Sequence, residues 1–175
     1  MQWLFPLIYL PLMVLLALGA QQRLSTFSSE FALWNDAVRL SERQLQNRGH
    51  VMGEERAYSN RGFARVQMHD YPGALSDQDA ALALNSRYYF AHYGRSVALG
   101  QLGRYEEALR AADEAQNLRP GFSAILLQRA SLFEKLGRED EALQALRKAC
   151  VMGDVNGCYR VHHHFHPDET FVFKP

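Results

Sequence analysis

The stretch "GRYEEALRAADEAQNLR", residues 103–119, decides the fold because its pattern recurs along the chain. It aligns without gaps with "HDYPGALSDQDAALALN" (69–85) and with "GREDEALQALRKACVMG" (137–153), so corresponding positions lie 34 residues apart. Two alanines stand in register in every copy: Ala74, Ala108 and Ala142, then Ala81, Ala115 and Ala149. A fixed period of this kind predicts a stack of helix-turn-helix units, none of which buries its apolar face alone.

A small residue also stands midway along the first helix of each unit, at Gly62, Ser96 and Ala130. With Pro120 at the end of the second unit, this pattern resembles the tetratricopeptide repeat. The resemblance covers residues 55–154 and implies an all-α solenoid of about three repeats plus capping helices. The repeat boundaries are expected at 55–88, 89–122 and 123–154.

The first 22 residues contain no side chain that is charged at neutral pH, and the run from Trp3 to Ala20 is almost wholly apolar. Its length reaches the lower limit for a helix that crosses a bilayer. We therefore expect a transmembrane anchor over residues 1–22, which would place the solenoid behind an N-terminal hydrophobic helix. A signal peptide cleaved after Gly19 and a buried hydrophobic helix stay open as alternatives.

Residues 23–54 join the apolar segment to the repeats and contain "TFSSEFALWNDAVRLSERQLQ". Its apolar residues recur on one helical face, which predicts an amphipathic helix that caps the first repeat. Those residues are Phe31, Trp34, Val38 and Leu45. The order of anchor, capping helix and repeats resembles the C-terminal region of bacterial multi-spanning glycan polymerases and ligases. That resemblance implies a bacterial inner-membrane protein whose repeats face the periplasm, or a soluble periplasmic or secreted protein after signal cleavage.

The two cysteines, Cys150 and Cys158, lie eight residues apart. An unbroken helix would separate their α-carbons by about 12 Å, whereas a disulfide tolerates less than about 7 Å. The glycines of Gly153–Gly157 offer a break in the helix. The segment "KACVMGDVNGCYR" resembles the linker of cysteine-bearing Sel-one-like repeats. This resemblance implies a disulfide that fastens a terminal helix and tail, residues 155–175.

Two alternatives to the disulfide stay open. One is a zinc site formed by Cys150, Cys158, His162 and His166, because thiolates and imidazoles are ligands that zinc prefers. The cysteine spacing is longer than in the common zinc knuckles. The other alternative is a redox-active pair, although the C-x-x-C spacing is missing. An oxidising compartment beyond the membrane favours the disulfide.

Charge and motif content exclude several functional classes. Nineteen basic residues balance 19 acidic ones, so no net field attracts nucleic acid. The sequence contains no phosphate-binding loop, dinucleotide fingerprint, nucleophile elbow or H-E-x-x-H zinc motif. We therefore predict neither catalysis nor a bound cofactor.

Three arginines stand in register, each just before the small residue of a first helix: Arg61, Arg95 and Arg129. They form either a basic ladder for acidic ligands or ion pairs within the chain. We favour ion pairs, because a buried guanidinium group must find partners. The expected partners on the second helices are Asp77, Asp79 and Asp113.

Repeats of this family bind extended or helical protein segments in a concave groove lined by their first helices. By register, the groove-facing positions are Arg56, Ser59, Phe63, Val66, Gln67, Phe90, Tyr93, Val97, Gln101, Leu127, Ser131, Glu134 and Lys135. We expect a protein or peptide partner there, and membrane contact through residues 3–20. Phe90 and Tyr93 either anchor apolar side chains of the partner or, with Tyr88 and Tyr89, pack between repeats.

The sequence as a whole favours a membrane-anchored, non-catalytic scaffold for protein-protein interaction in a bacterial envelope assembly. One alternative is an accessory or detached periplasmic module of a glycan-polymerising or glycan-transferring membrane enzyme. A second alternative is a metal-binding protein that acts through the cysteine and histidine end.

Overall fold

A computed structural model of the chain describes residues 21–22, 25–26, 28–43 and 53–165. Within these ranges the chain is helical apart from short turns, and no residue is in a strand. The helices are α1 (28–43), α2 (Glu54–Gln67), α3 (Tyr71–Leu84), α4 (Tyr89–Gln101), α5 (Tyr105–Leu118), α6 (Ser123–Lys135), α7 (Glu139–Val151) and α8 (Val155–Phe165). None of the described helices is long and apolar enough to cross a bilayer. The predicted anchor, residues 3–20, lies outside the described residues.

Helices α2 to α7 form three consecutive pairs, α2 with α3, α4 with α5 and α6 with α7. Each pair also packs on the next one, through α3 with α4 and α5 with α6, and α8 packs on α7. The first helices contact each other as well, α2 with α4 and α4 with α6. This order of contacts is that of a helix-turn-helix solenoid, which confirms the predicted fold class.

The turn inside each pair follows one backbone pattern. His69, Gly103 and Gly137 stand in register, and all three have positive φ angles, of 62°, 77° and 69°. A left-handed residue after the last turn ends a helix and favours glycine, which has no β-carbon. Among the described residues His69 is the one non-glycine residue with positive φ. Its imidazole Nδ1 lies 2.7 Å from the hydroxyl of Tyr71.

Small residues bring the helices of each pair close together. The six in-register alanines are all buried, which is the packing that the repeat predicts. The small residue of the first helices is also at a close approach, since a methyl group on Gly62 would lie 3.2 Å from the carbonyl oxygen of Ala74. Larger side chains at these positions would push the two helices apart.

The first pair contains a buried polar side chain, Gln78, which is 0% exposed. The hydroxyl of Ser59 donates a 2.8 Å hydrogen bond to Oε1 of Gln78, and Nε2 of Gln78 donates a 3.0 Å hydrogen bond to the Ser59 carbonyl. Gly62 and Gly94 leave room for this amide, because a methyl group on either would lie 2.5 Å from it. Ser59 is therefore buried, and its prediction as a groove-lining residue is wrong.

Helix α1 covers the outer side of α2, as a capping helix is expected to do. Val38 is buried, and Phe31 and Trp34 are half-buried. The hydroxyl of Tyr58 donates a 2.8 Å hydrogen bond to Glu42, and the Arg65 guanidinium lies 5.7 Å from the Phe31 ring. Burial and this hydrogen bond raise the pKa of Tyr58 to about 12. Leu45, the fourth predicted contact, lies outside the described residues.

The three in-register arginines form ion pairs, as predicted. The distances from guanidinium nitrogen to carboxylate oxygen are 2.7 Å for Arg61–Asp77, 2.8 Å for Arg95–Asp79 and 3.0 Å for Arg129–Asp113. The first ion pair joins two helices of one pair, whereas the other two join one helix pair to the next. The arginines therefore hold the stack together and do not form a free basic ladder.

The structure joins Cys150 and Cys158 by a disulfide, with the α-carbons 4.5 Å apart. The helix breaks between them at Gly153, whose φ is 83°. Asp154 precedes α8 and caps its first turn, because its Oδ1 accepts a 3.0 Å hydrogen bond from the Gly157 amide. Its Oδ2 accepts a second hydrogen bond, from the Ser123 hydroxyl at 2.7 Å. The disulfide therefore fastens α8 to the end of α7.

The disulfide also occupies the two cysteines that the zinc alternative would use as ligands, since their sulfurs are bonded to each other. No group of three or more histidine, cysteine, aspartate or glutamate side chains within the described ranges is arranged to hold a metal ion. His162 belongs to α8, and His166 lies outside the described residues.

Candidate partner-binding groove

The first helices α2, α4 and α6 lie side by side and form one face of the stack, which we call the groove. Most predicted groove residues keep some exposed surface there. Those that are largely exposed are Arg56, Gln67, Gln101, Glu134 and Lys135. Those that are half-buried are Phe63, Val66, Phe90, Tyr93, Val97, Leu127 and Ser131.

Six rings meet on this face, and we call them the aromatic cluster: Phe63, Tyr88, Tyr89, Phe90, Tyr93 and Phe122. Ring centroids are 4.6 Å apart for Phe63 and Phe90, and 5.8 Å apart for Phe63 and Tyr93. Phe122 lies 5.6 Å from Tyr93 and 6.4 Å from Phe90. These separations are typical of attractive aromatic pairs. The cluster therefore joins the first two repeats and ends at Phe122, immediately before α6 of the third.

Sequence reasoning missed Phe122, which precedes α6 and was not among the predicted groove residues. Its register contains the signal, because Phe122 lies 34 residues after Tyr88. The two residues occupy the same position, immediately before α4 and before α6. Because the repeat gives both positions the same surroundings, an aromatic residue immediately before a first helix is expected to lie beside the groove.

The aromatic cluster is partly core and partly surface. Tyr89, Tyr93 and Phe122 pack against a buried group that includes Ala112 and Ile125. All six rings nevertheless remain half-buried and present an edge or face to solvent. Burial raises the pKa values of Tyr88 and Tyr93, so both phenols stay neutral through the physiological range. Packing between repeats and contact with a partner are therefore compatible for these residues.

A pocket of about 430 Å³ adjoins the aromatic cluster at the N-terminal end of the groove. Its walls come from α1 and α2, with Trp34 and Glu30 facing Phe63 and Gln67. Phe63 belongs to both the pocket and the aromatic cluster. A segment bound across the cluster would therefore have a space beside Phe63 for one further side chain.

The opposite end of the groove is bordered by α8. Arg160 of this helix forms an ion pair with Glu134, and Leu127 packs in a cluster with Leu146 and Val161. These two predicted groove residues are thus engaged within the chain. The accessible aromatic surface is concentrated in the first two repeats.

The tetratricopeptide repeat family model matches residues 91–122 and 123–150, which cover most of the second and third helix pairs. The fold is a tetratricopeptide-repeat solenoid. Among solved structures, MamA from AMB-1 is 26% identical, with a TM-score of 0.54, over 67% of this chain and 63% of that chain. TTC0263, a thermophilic tetratricopeptide-repeat protein of Thermus thermophilus, is 21% identical over 83% of this chain and 82% of its own, with a TM-score of 0.59. No curated protein matches this chain.

A tetratricopeptide-repeat solenoid with this groove is suited to binding a protein segment. Rigid aromatic rings offer large apolar contact area with few rotatable bonds, so little side-chain entropy is lost when a partner binds. Polar groups at the margin, such as Gln67 and Gln101, can hydrogen-bond to a bound backbone. The architecture is that of a protein-protein interaction scaffold.

Proposed function

We propose that this chain is a non-catalytic scaffold that binds an extended or helical segment of a partner protein across the groove. The aromatic cluster carries the proposal, because six half-buried rings from the first two repeats form one continuous surface. Tyrosine is among the residues that dominate binding energy at protein interfaces, and phenylalanine is enriched there. The partner would place apolar side chains on Phe90 and Tyr93 and a further one in the pocket beside Phe63.

A photo-crosslinking experiment in cells tests this proposal. The photoreactive amino acid benzoylphenylalanine replaces Phe90 in one version of the protein and Glu106, an exposed residue of α5, in a matched control. We expect one discrete adduct from position 90 and none from position 106. Addition of Tyr93→Ala should reduce the adduct at least about tenfold, because truncation of an interface aromatic removes about 2 kcal/mol or more. Equal adducts from both positions, or none from position 90, would contradict groove binding.

We further propose that residues 3–20 anchor the scaffold in the bacterial inner membrane and that the repeats work in the periplasm, within an envelope assembly. Two observations support this setting, the uncharged apolar N-terminal run and the bonded pair Cys150–Cys158. Disulfides persist in oxidising compartments and are rare in the cytoplasm. A role beside a glycan-processing membrane enzyme is supported only by the resemblance of the N-terminal segment.

Thiol labelling tests the proposed compartment. Protein taken directly from cells is treated with a maleimide reagent of known mass, with and without prior reduction. We expect labelling at Cys150 and Cys158 only after reduction. Free thiols in the unreduced sample would contradict a periplasmic location, and N-terminal sequencing of the same sample distinguishes a retained anchor from a cleaved signal.

A further inference from the structure

A second concave surface lies away from the groove, between the second helices α5 and α7. It is a cleft of about 420 Å³, and none of the predicted groove residues lines it. Its apolar lining includes Pro120, Leu126, Val151 and Met152. Arg147 and Lys148 of α7 stand at its edge, and we call this surface the basic cleft.

The apolar part of the basic cleft is unusually open to solvent. Val151 is 88% exposed and Met152 is 41% exposed. Leu126, at 3% exposure, belongs to the floor. Apolar side chains at the rim of a concave surface mark sites of interaction more often than apolar residues scattered singly over a surface.

The repeat register shows that the charge of this cleft is particular to the third repeat. Arg147 and Lys148 occupy the positions that Asp113 and Glu114 occupy in the second repeat. Val151 likewise replaces Asn117. Three neighbouring positions thus change from acidic or polar to basic or apolar between two repeats of the same backbone pattern.

Among the described residues, Arg147 and Lys148 do not link one helix pair to the next. Asp113 forms the ion pair with Arg129 that links two helix pairs, whereas the corresponding Arg147 faces α8, where its guanidinium lies 5.3 Å from the Phe165 ring. Within the part of the chain that the structure describes, neither Arg147 nor Lys148 forms an ion pair. Arg129, the third cation of the lining, is already paired with Asp113.

We propose that the basic cleft binds an acidic segment of a partner protein, which places one or two apolar side chains in the cleft and carboxylates against Arg147 and Lys148. Charge complementarity gives such a site its specificity. A protein segment fits better than a membrane surface, because the site is concave and the chain carries a net charge of zero. The basic cleft is separate from the groove, so a partner can bind at one of the two sites while the other is empty.

Binding of a defined peptide tests the proposal. The probe is a fluorescein-labelled peptide with two aspartates beside a leucine and a phenylalanine, and its anisotropy is followed as the full-length protein is added. We expect saturable binding that weakens as salt is raised, since the contacts include exposed ion pairs. A peptide with lysines in place of the aspartates should not bind.

The decisive variant is Arg147→Asp with Lys148→Glu, which installs the residues of the second repeat at exposed positions. Peptide affinity should fall at least about tenfold. The matched control is Arg87→Asp with Arg110→Glu, which makes the same change in net charge at exposed positions outside the cleft. Val151→Asn tests the apolar contribution and should weaken binding about threefold or more, since a buried methyl group contributes near 1 kcal/mol.

Three results would overturn the proposal. The first is unchanged peptide affinity in the Arg147→Asp and Lys148→Glu variant, and the second is an equal loss in the control variant. The third is binding to anionic phospholipid vesicles, lost in the same variant, while the peptide does not bind; this result would assign the cations to a membrane surface. Because Phe90 and Tyr93 lie outside the basic cleft, none of these results bears on the groove.

Discussion

The first and third helix pairs share one repeat pattern and one backbone geometry, yet their interiors differ in chemistry. At three corresponding positions the first pair has Arg65, Asp77 and Gln78, and the third has Phe133, Ala145 and Leu146. The three residues of the third pair are all buried and apolar. In the first pair the same space is filled by ion pairs from Arg65 and Arg61 to Asp77 and by the amide of Gln78.

The 34-residue period therefore specifies where the helices pack, but it does not specify whether polar or apolar side chains fill the space between them. An apolar interior such as that of the third pair tolerates changes that keep its volume. A polar interior requires a partner for every buried group, because each unpaired group has lost its hydration. The first pair should therefore be the more sensitive of the two to single substitutions.

The largest effect is expected from Asp77→Ala in the first pair. The Asp77 side chain is 3% exposed and accepts hydrogen bonds from Arg61 at 2.7 and 3.0 Å. Its removal leaves the Arg61 guanidinium without its carboxylate and leaves Arg65 with Asp70, at 3.5 Å, as its remaining carboxylate partner. We expect a loss of about 3 kcal/mol in the free energy of unfolding, measured by urea denaturation.

Asp113→Ala is the matched control, because Asp113 pairs with Arg129 but its side chain is 52% exposed. This substitution should lower the free energy of unfolding by less than about 1 kcal/mol. Equal effects of the two substitutions would show that the buried network of the first pair has no special role.

The second prediction concerns the end of the stack, where a disulfide fastens α8 to the third pair. Replacement of Cys150 and Cys158 by serine should lower the free energy of unfolding by about 2–3 kcal/mol, because the closed loop is short. Hydrogen exchange should become faster in α8 and remain unchanged in α2 and α3. If α8 remained protected from hydrogen exchange both in this variant and in the reduced native protein, packing alone would fasten the helix.

A double-mutant cycle sharpens the contrast between the two interiors. Gln78→Leu gives the first pair the residue that the third has at Leu146, but it leaves the Ser59 hydroxyl without its acceptor. We expect a loss of about 1–2 kcal/mol for Gln78→Leu, and recovery of a large part of it when Ser59→Ala is added. Thermal unfolding of the four proteins measures the coupling. Additive effects would argue against a polar pair at this position.

The smallest effect is expected at the turn of the first pair, where His69 stands at the position of Gly103 and Gly137. Glycine adopts positive φ without the steric penalty of a β-carbon. His69→Gly should therefore raise the free energy of unfolding by about 0.5 kcal/mol, with the lost contact to Tyr71 limiting the gain. The comparison variant Gly137→His should lower it by a similar amount. A stabilised Gly137→His protein would contradict this account of the turns.

The sequence-based predictions were correct where a contact recurs with the repeat or follows from the pattern of one helix. The prediction for Ser59 failed because it depends on a contact between two residues that are distant in sequence. The helix pairs and the Arg–Asp ion pairs were predicted because they return with the period. A capping helix within residues 23–54 was predicted because an apolar stripe on one helix face must be covered. Ser59 was predicted wrongly, since its register indicates the groove while Gln78, 19 residues later, binds its hydroxyl.

The sequence by itself determined the solenoid, the order of its helix pairs and the candidate aromatic residues Phe63, Phe90 and Tyr93. These follow from a repeat of small residues, which allows two helices to approach and thereby fixes the neighbours of every position. Tertiary structure alone decided that Phe122 contacts both Phe90 and Tyr93, which makes the cluster continuous, and that Arg147 lines an apolar cleft. Such features depend on side chains from different repeats, and these side chains come into contact only when the repeats stack on each other.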